Sequence, residues 1–410
     1  MIEAVQNNPS AAVIWQEMRA LADRQEVFNE LVQVSPLLPA SSPLLPGYEI
    51  FVKNEGAQQG RAYKVRGAYN CMLAARENGE SFNGVVAAST GNHIKGVALA
   101  ARHLGVDEVV GFCPEGTVPE KIAGVEAVGV SVKTASSLAQ ATAAAENYAR
   151  DNGMLFVHPY DHPAVVAGNG TAALEAVAQL AAFGVDPADP NTEITVVVPG
   201  GGGGLAAGSV VGLAALYPTV RTVVSQLQGG DNLARRIRRV AELPAGDFSY
   251  ACRGAAVYTP GTLATTVLTD RQFAVGAVSV TPGEVGRAMK RLSRYHETPE
   301  SAGALAMATV TQLAERNPVA QGNGKRRVRI AITTGTNPGA DELVEFAQAA
   351  EQERREQLAA AQQNFALLSD RQLTDKHARV QHPNTPKIFK PRSVRAYRAS
   401  LNVISGRRTT

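Results

Sequence analysis

Cysteine is scarce: Cys71, Cys113 and Cys252 are the only three in 410 residues, far apart and without a Cys-x-x-Cys pair. An odd number at such spacing excludes a disulfide framework and a cysteine-rich zinc site, and it fits buried reduced thiols. An excess of one charge is also missing. Forty Lys and Arg stand against 37 Asp and Glu, a net charge of +3. That balance offers nucleic acid no general attraction, and no nucleic-acid partner is expected. Long apolar runs are absent, since no window approaches the roughly 18 uncharged apolar residues of a membrane span. The first 34 residues carry Glu3, Glu17, Asp23, Glu26 and Glu30 among their apolar positions, unlike a signal peptide. A cytoplasmic location is expected. Extensive disorder is excluded too, because 45% hydrophobic and 19% charged residues are ordinary for a globular chain.

What is present is an alternation. A length prior of about 150 residues per domain suggests two or three domains. Short β-branched runs read as strands at Val85–Ala88, Glu108–Phe112, Val130–Lys133, Leu155–Val157, Ile194–Val198, Arg221–Val224 and Val328–Ile332. Ala-rich stretches between them read as helices, among them Asn92–Leu104, Ser136–Arg150, His162–Phe183 and Leu205–Leu216. Strands that are apolar throughout and separated by amphipathic helices imply parallel sheets covered on both faces. Ligands in such folds bind at the carboxyl ends of strands, so the strand-to-helix turns are the places to look. The tail differs. From Ala340 to about Gln363 the chain reads as a charged helix, and Lys376 to Thr410 holds nine Lys or Arg and no Asp or Glu. Pro383, Pro386 and Pro391 break any helix there, which reads as an extended basic arm.

Three turns carry chemistry. In Val198-Pro199-Gly200-Gly201-Gly202-Gly203-Gly204-Leu205, five glycines join a strand to a helix. Turn geometry alone needs one or two. A run without Cβ atoms lets successive N–H groups converge on an anion at a helix N-terminus, which reads as a phosphate cradle; a tightly packed turn is the plainer alternative. The loop lacks both a P-loop ending and dinucleotide spacing. The second turn, Ala88-Ser89-Thr90-Gly91-Asn92-His93, offers amides and hydroxyls to a carboxylate, although Ser-Thr-Gly-Asn also caps helices well. The third, Arg61 to Tyr69, carries Lys64 in a mostly uncharged neighbourhood. A lone lysine is ordinarily a surface residue, but a phosphate cradle, a carboxylate turn and a lysine together can anchor pyridoxal phosphate.

Ala62-Tyr63-Lys64-Val65-Arg66-Gly67-Ala68 resembles the Ser-Phe-Lys-Leu-Arg-Gly-Ala motif of threonine dehydratases (threonine ammonia-lyases). These are fold-type II pyridoxal phosphate enzymes of the tryptophan-synthase-β group. Ser89–His93 resembles their Ser-Ala-Gly-Asn-His loop, and Gly200–Leu205 their tetraglycine loop. Asp161-His162-Pro163, Ala167-Gly168-Asn169-Gly170-Thr171, Glu300-Ser301-Ala302-Gly303-Ala304 and Thr334-Gly335-Thr336-Asn337 follow in the same order as further family segments. The resemblance covers about residues 40 to 345.

It implies an α/β fold of two three-layer α/β/α domains with mostly parallel sheets and the cofactor cleft between them. The organisation expected is an N-terminal helical segment over 1–40, a large pyridoxal phosphate-binding domain over 41–81 and 161–345, and a small α/β domain over 82–160. A C-terminal helix over 346–375 and a basic arm over 376–410 complete it. The resemblance further implies that Lys64 binds the cofactor as a Schiff base and then acts as base at Cα. Asn92 would bond the cofactor's phenolic oxygen, and Gly200, Gly201, Gly202, Gly203 and Gly204 its phosphate. Ser89, Thr90, Gly91, Asn92 and His93 would bind the substrate carboxylate, and Thr334 would face the pyridine nitrogen. The activity implied is elimination of water and ammonia from threonine or serine. The alternative is elimination or β-replacement on a less common amino acid. A homodimer or higher homo-oligomer is expected.

Several positions depart from the pattern. Ala62 stands for the usual serine, and Thr90 for an alanine, or for the serine of serine racemases; its hydroxyl reads as a substrate ligand or a second acid–base group. Gln226 and Asn232 fall where metal-binding relatives carry acids, so no metal is expected. Thr259–Ala264 is altered. The tail lacks the alternating strands of a regulatory effector domain.

Overall fold

The computed structural model describes residues 2–40, 45–243, 255, 257, 259–294, 298–317 and 324–379, with side chains to residue 360. Cys252 and the basic arm from residue 380 onward lie outside the described residues. Met1–Arg354 form one compact unit, and Arg355–Thr410 a second whose described part continues the helix Ala340–Arg379.

Among the described residues of the first unit, ten strands build two sheets. They are β1 Leu37–Pro39, β2 Glu49–Asn54, β3 Gly84–Ala88, β4 Glu108–Pro114, β5 Ser131–Ala135, β6 Leu155–Phe156, β7 Thr192–Pro199, β8 Arg221–Leu227, β9 Gly276–Val280 and β10 Arg326–Thr333. The larger sheet runs β1-β2-β10-β7-β8-β9, parallel throughout except for the antiparallel edge strand β1. The smaller runs β5-β4-β3-β6, all parallel. The α/β class with mostly parallel sheets is therefore as expected. Apolar clusters cover both faces of the larger sheet: Val196, Val198 and Ile330 pack against the helices Pro163–Gln179 and Gly204–Leu216, and Val197 and Ala331 against Ser301–Arg316. Val85 and Ala87 face one cluster of the smaller sheet, and Val86 and Ala88 the other.

The three-residue edge strand β1, β2 and β9 lie outside the strands read from the sequence, the last two for local reasons. In Glu49-Ile50-Phe51-Val52-Lys53-Asn54 only three apolar residues stand between charges. Lys53 is nonetheless fully buried, because its ammonium meets Glu175 at 2.8 Å and Gln179 at 2.9 Å. β9 is short, opens on glycine and is only partly buried. The long helix expected over His162–Phe183 ends at Gln179 instead. A 3₁₀ turn, Leu180–Phe183, follows and closes on Gly184 at φ 66°, a left-handed conformation that favours glycine.

Candidate active site

The carboxyl ends of β3, β7 and β10 face one cleft, lined by Lys64, Ser89, Thr90, Asn92, His93, Gly201, Gly202, Gly203, Gly204 and Thr334. These residues are dispersed over most of the chain, and the two sheets bring them together. Gly200 and Gly91 stand apart from that lining. Gly200 donates its N–H to Ser225 O at 2.8 Å, and a Cβ on it would meet Val224 Cγ1 at 2.6 Å, so it packs on β8. Gly91 lines a neighbouring cavity and adopts φ 154°.

Lys64 opens the helix Lys64–Glu77. The residues before it are pinned to the end of β10: Tyr63 N donates to Thr334 O at 3.1 Å, Thr336 N to Arg61 O at 3.0 Å, and Ala62 bridges Gly335. Two residues later Arg66 is fully buried, its guanidinium gripping Glu55 at 2.7 and 2.9 Å and Glu175 at 2.6 and 2.8 Å. With Lys53 on Glu175, two cations balance two anions beneath the start of the helix. Removing one member would strand a buried charge, a loss of about 3–5 kcal/mol. The Lys64 ammonium donates to Pro159 O at 2.7 Å and lies 5.1 Å from the Tyr63 ring centre. Burial lowers its pKa to about 8 against the opposing pull of Glu300. Such an amine is far more nucleophilic at neutral pH than a surface lysine.

The Ser89–Asn92 turn is held by Ser89 N on Phe112 O at 3.0 Å and Gly91 N on Ser89 Oγ at 3.2 Å. The Thr90 hydroxyl has no hydrogen-bond partner among the described residues. Asn92 Nδ2 donates to both carboxylate oxygens of Glu300 at 2.9 Å, and its Oδ1 accepts from Asn337 at 3.0 Å. His93 is buried with Nε2 on Val157 O at 2.8 Å, while its Nδ1 lacks a partner. Burial first, then Lys64, pushes its pKa down to about 3, so the imidazole is neutral.

The glycine loop is tight because other groups occupy every Cβ direction. A Cβ on Gly202 would lie 2.2 Å from Tyr160 Cγ, one on Gly204 2.4 Å from Tyr160 O, and one on Gly203 2.6 Å from Ala264 Cβ. Gly203, at φ 90°, caps the helix Gly204–Leu216 with no side-chain hydrogen bond. The altered Thr259–Ala264 segment is tied in by Gly261 N on Gly202 O at 2.9 Å and by Asp161, which accepts from Thr262 and Leu263 N at 2.8 and 2.9 Å.

Glu300, Tyr160 and Lys121 also line the cleft and were missed as site residues by sequence reasoning. Glu300 falls inside a segment that carried the resemblance, and that was its available signal. Burial and then Glu342 raise its pKa to about 7, with Lys121, Asn92 and Lys64 pulling the other way.

The model of the pyridoxal-phosphate dependent enzyme family matches residues 29–333. The chain belongs to that family. It is 31% identical over 295 residues to a biosynthetic L-threonine dehydratase of Pasteurella multocida, covering 71% of this chain and 54% of the relative. It is 34% identical over 267 residues to an L-threonine ammonia-lyase of Thermotoga maritima, covering 64% of this chain and 63% of the relative. The chain thus spans between about half and two thirds of these curated relatives. The crystal structure of the T.th. threonine deaminase superposes with a TM-score of 0.66 at 29% identity, covering 80% of this chain and 98% of that one.

The cleft fits the family's cofactor. A helix start without a side-chain cap suits a phosphate, the glycine backbone leaves only amides to present, and a lysine with a lowered pKa lines the same cleft. The buried, unpartnered His93 Nδ1 is a further polar group in the cleft wall. Gln226, Asn232 and Asp231, the positions read from the sequence as unsuited to a metal, are engaged within the chain. Gln226 Oε1 accepts from Ala234 N at 2.7 Å, Asn232 Oδ1 from Leu243 N at 2.8 Å, and Asp231 is paired with Arg235 and Arg238 at 3.1 Å each.

Proposed function

We propose that this enzyme is an ammonia-lyase that removes the hydroxyl and amino groups of a β-hydroxy amino acid, threonine or serine, giving a 2-oxo acid and ammonia. The observation that carries the reading is the convergence of Lys64, the Ser89–Asn92 turn and the Gly201–Gly204 loop on one cleft. The similarity to chains named L-threonine dehydratase and L-threonine ammonia-lyase supports the choice of substrate.

When bound, the cofactor supplies an electron sink for charge developing at the substrate's Cα. The amides of Gly201–Gly204 would hold its phosphate. Lys64 would anchor it covalently and then take the proton from Cα, a step worth about 10²–10⁴-fold. An amine with a pKa near 8 is substantially neutral at mildly alkaline pH, as a base must be. The amides and hydroxyls of Ser89 and Thr90 would orient the substrate carboxylate. Glu300 and Asn337 fix the amide of Asn92, which would meet the phenolic oxygen. Thr334 brings a neutral hydroxyl to the cleft wall in place of a carboxylate. Such a group does not keep a ring nitrogen protonated, which favours prompt loss of a β-substituent over transfer of the amino group.

No described helix is long and apolar enough to cross a membrane. A cytoplasmic homo-oligomer belongs to the same proposal, checked by fractionation and sedimentation. The decisive experiment reconstitutes the protein with pyridoxal phosphate and follows 2-oxo acid release from a panel of amino acids. Turnover of threonine and serine, with visible cofactor absorbance that Lys64→Ala abolishes, is the expected result. A reconstituted protein without that absorbance would overturn the reading.

A further inference from the structure

A second cavity of about 700 Å³ adjoins the cleft, and Asn92 and Lys121 line both. Its wall carries three cations, Arg61, Lys95 and Lys121, against two acids, Glu120 and Asp341. Both acids are solvent-exposed, whereas Lys95 and Lys121 are half-buried. Neither lysine side chain has a hydrogen bond or ion pair among the described residues, whereas the buried Lys53 and Arg66 are both paired with carboxylates. Lys95 sits one turn into the helix Asn92–His103, and its ammonium occupies room left by a glycine: a Cβ on Gly124 would lie 2.9 Å from Lys95 Nζ. Arg61 holds a left-handed φ of 61°, uncommon for a residue with a Cβ. Burial lowers the Lys95 pKa, and Lys121 and Arg61 lower it further against the opposing pull of Glu300, as like charges gathered in one place do.

We propose that this cavity binds a carboxylate or phosphate group between Lys95 and Lys121, next to the Ser89–Asn92 turn. The anion completes the charge balance that the two lysines lack. Two sources share this chemistry. One is the distal anionic group of an amino-acid substrate whose α-carboxylate lies at the turn; the other is a free anion that settles beside the turn and tunes it. The first source rests on the ammonia-lyase reading, whereas anion binding itself does not.

The test uses holoenzyme, in which the glycine loop is already filled. Inorganic phosphate is titrated calorimetrically into wild type, Lys95→Gln and Lys121→Gln at low ionic strength. Each lost charge-assisted bond should weaken phosphate by about tenfold or more. Two independent variants guard against one of them misfolding, with the cofactor absorbance of each as the check. The source is read by turnover. If the anion arrives on the substrate, wild type prefers L-threo-3-hydroxyaspartate or O-phospho-L-serine over threonine by kcat/KM. Lys95→Gln then removes the preference and spares threonine. If it arrives free, phosphate shifts the KM for threonine in wild type and not in Lys95→Gln. Lysine-dependent phosphate binding in an enzyme that turns over neither threonine nor serine would uphold the site and sink the ammonia-lyase reading. Equal phosphate binding by wild type and both variants, or none by wild type, overturns the proposal.

Discussion

At the residue scale the cleft is a set of groups held slightly out of balance. Lys64 is an amine away from water, Glu300 a carboxyl beside another carboxyl, and His93 a neutral imidazole with one idle nitrogen. Thr90 belongs with them, since its hydroxyl lines the cleft without a partner among the described residues. If that hydroxyl binds substrate, Thr90→Ala loses one hydrogen bond, about 1.4 kcal/mol, and KM for the L-amino acid rises about tenfold while kcat holds. Steady-state kinetics on both enantiomers checks this. A selective loss of D-isomer turnover would instead make Thr90 an acid–base group, and an unchanged profile would remove it from the site. Among the described residues no base is hydrogen-bonded to the Thr90 hydroxyl, which is why binding is the expected role. Lys64 and Thr90 could be picked out in advance because each sits in a contiguous motif. Tyr160 could not, because its meaning depends on a glycine remote in sequence whose Cβ position its ring occupies.

At the scale of elements, strand-to-helix turns do the positioning, and they were readable where the flanking strand carried a mainly apolar, β-branched run, unbroken in β3 and interrupted only by Thr195 in β7 and Arg329 in β10. β3, β7 and β10 announced themselves in this way. β2 did not, because its buried Lys53 is compensated by Glu175 on a distant helix, a pairing that no local pattern records. The glycine loop shows how little freedom such a turn retains. Gly202→Ala would set a methyl 2.2 Å from Tyr160 Cγ, well inside contact distance. Either the ring or the loop must move, so cofactor affinity should fall at least about tenfold, the equivalent of about 1.4 kcal/mol. Absorbance titration with pyridoxal phosphate measures it, and wild-type affinity would show that the loop does not hold the phosphate. The helix Asn232–Arg238 yields a second expectation. Asp231 is neutralised by Arg235 and Arg238 and bonded by Ser279, so a divalent cation would have to displace internal cations. Activity and melting temperature should therefore be indifferent to chelator. A loss that Mg²⁺ restores would count decisively against this.

Over the whole molecule, the apoprotein bears the cost of keeping Lys64 ready, and linkage gives that cost a sign. The unfolded lysine titrates near 10.5 and the folded one near 8. Between those values the unfolded chain binds a proton that the fold has released, so stability rises with pH through the window. Lys64's favourable contribution is complete above about 10.5 and is lost as pH falls toward 8. Protonation of Glu300 below about 7 then removes the counter-charge of the ammonium and deepens the penalty. Lys64→Met keeps an apolar stem without the charge. Its apoprotein should melt higher than wild-type apoprotein at pH 6, and the gap should narrow steadily from pH 8 toward 10. Comparing the two proteins at each pH cancels the titrating groups that do not feel Lys64; Glu300 and His93 do feel it, so the gap between pH 8 and 10, above both of their values, carries the test. A gap between the apoproteins that stays constant or widens above pH 8 would mean that the amine keeps an ordinary pKa in the fold. It would then be protonated at neutral pH, and Lys64 could not serve as the base without a change in its surroundings on cofactor binding.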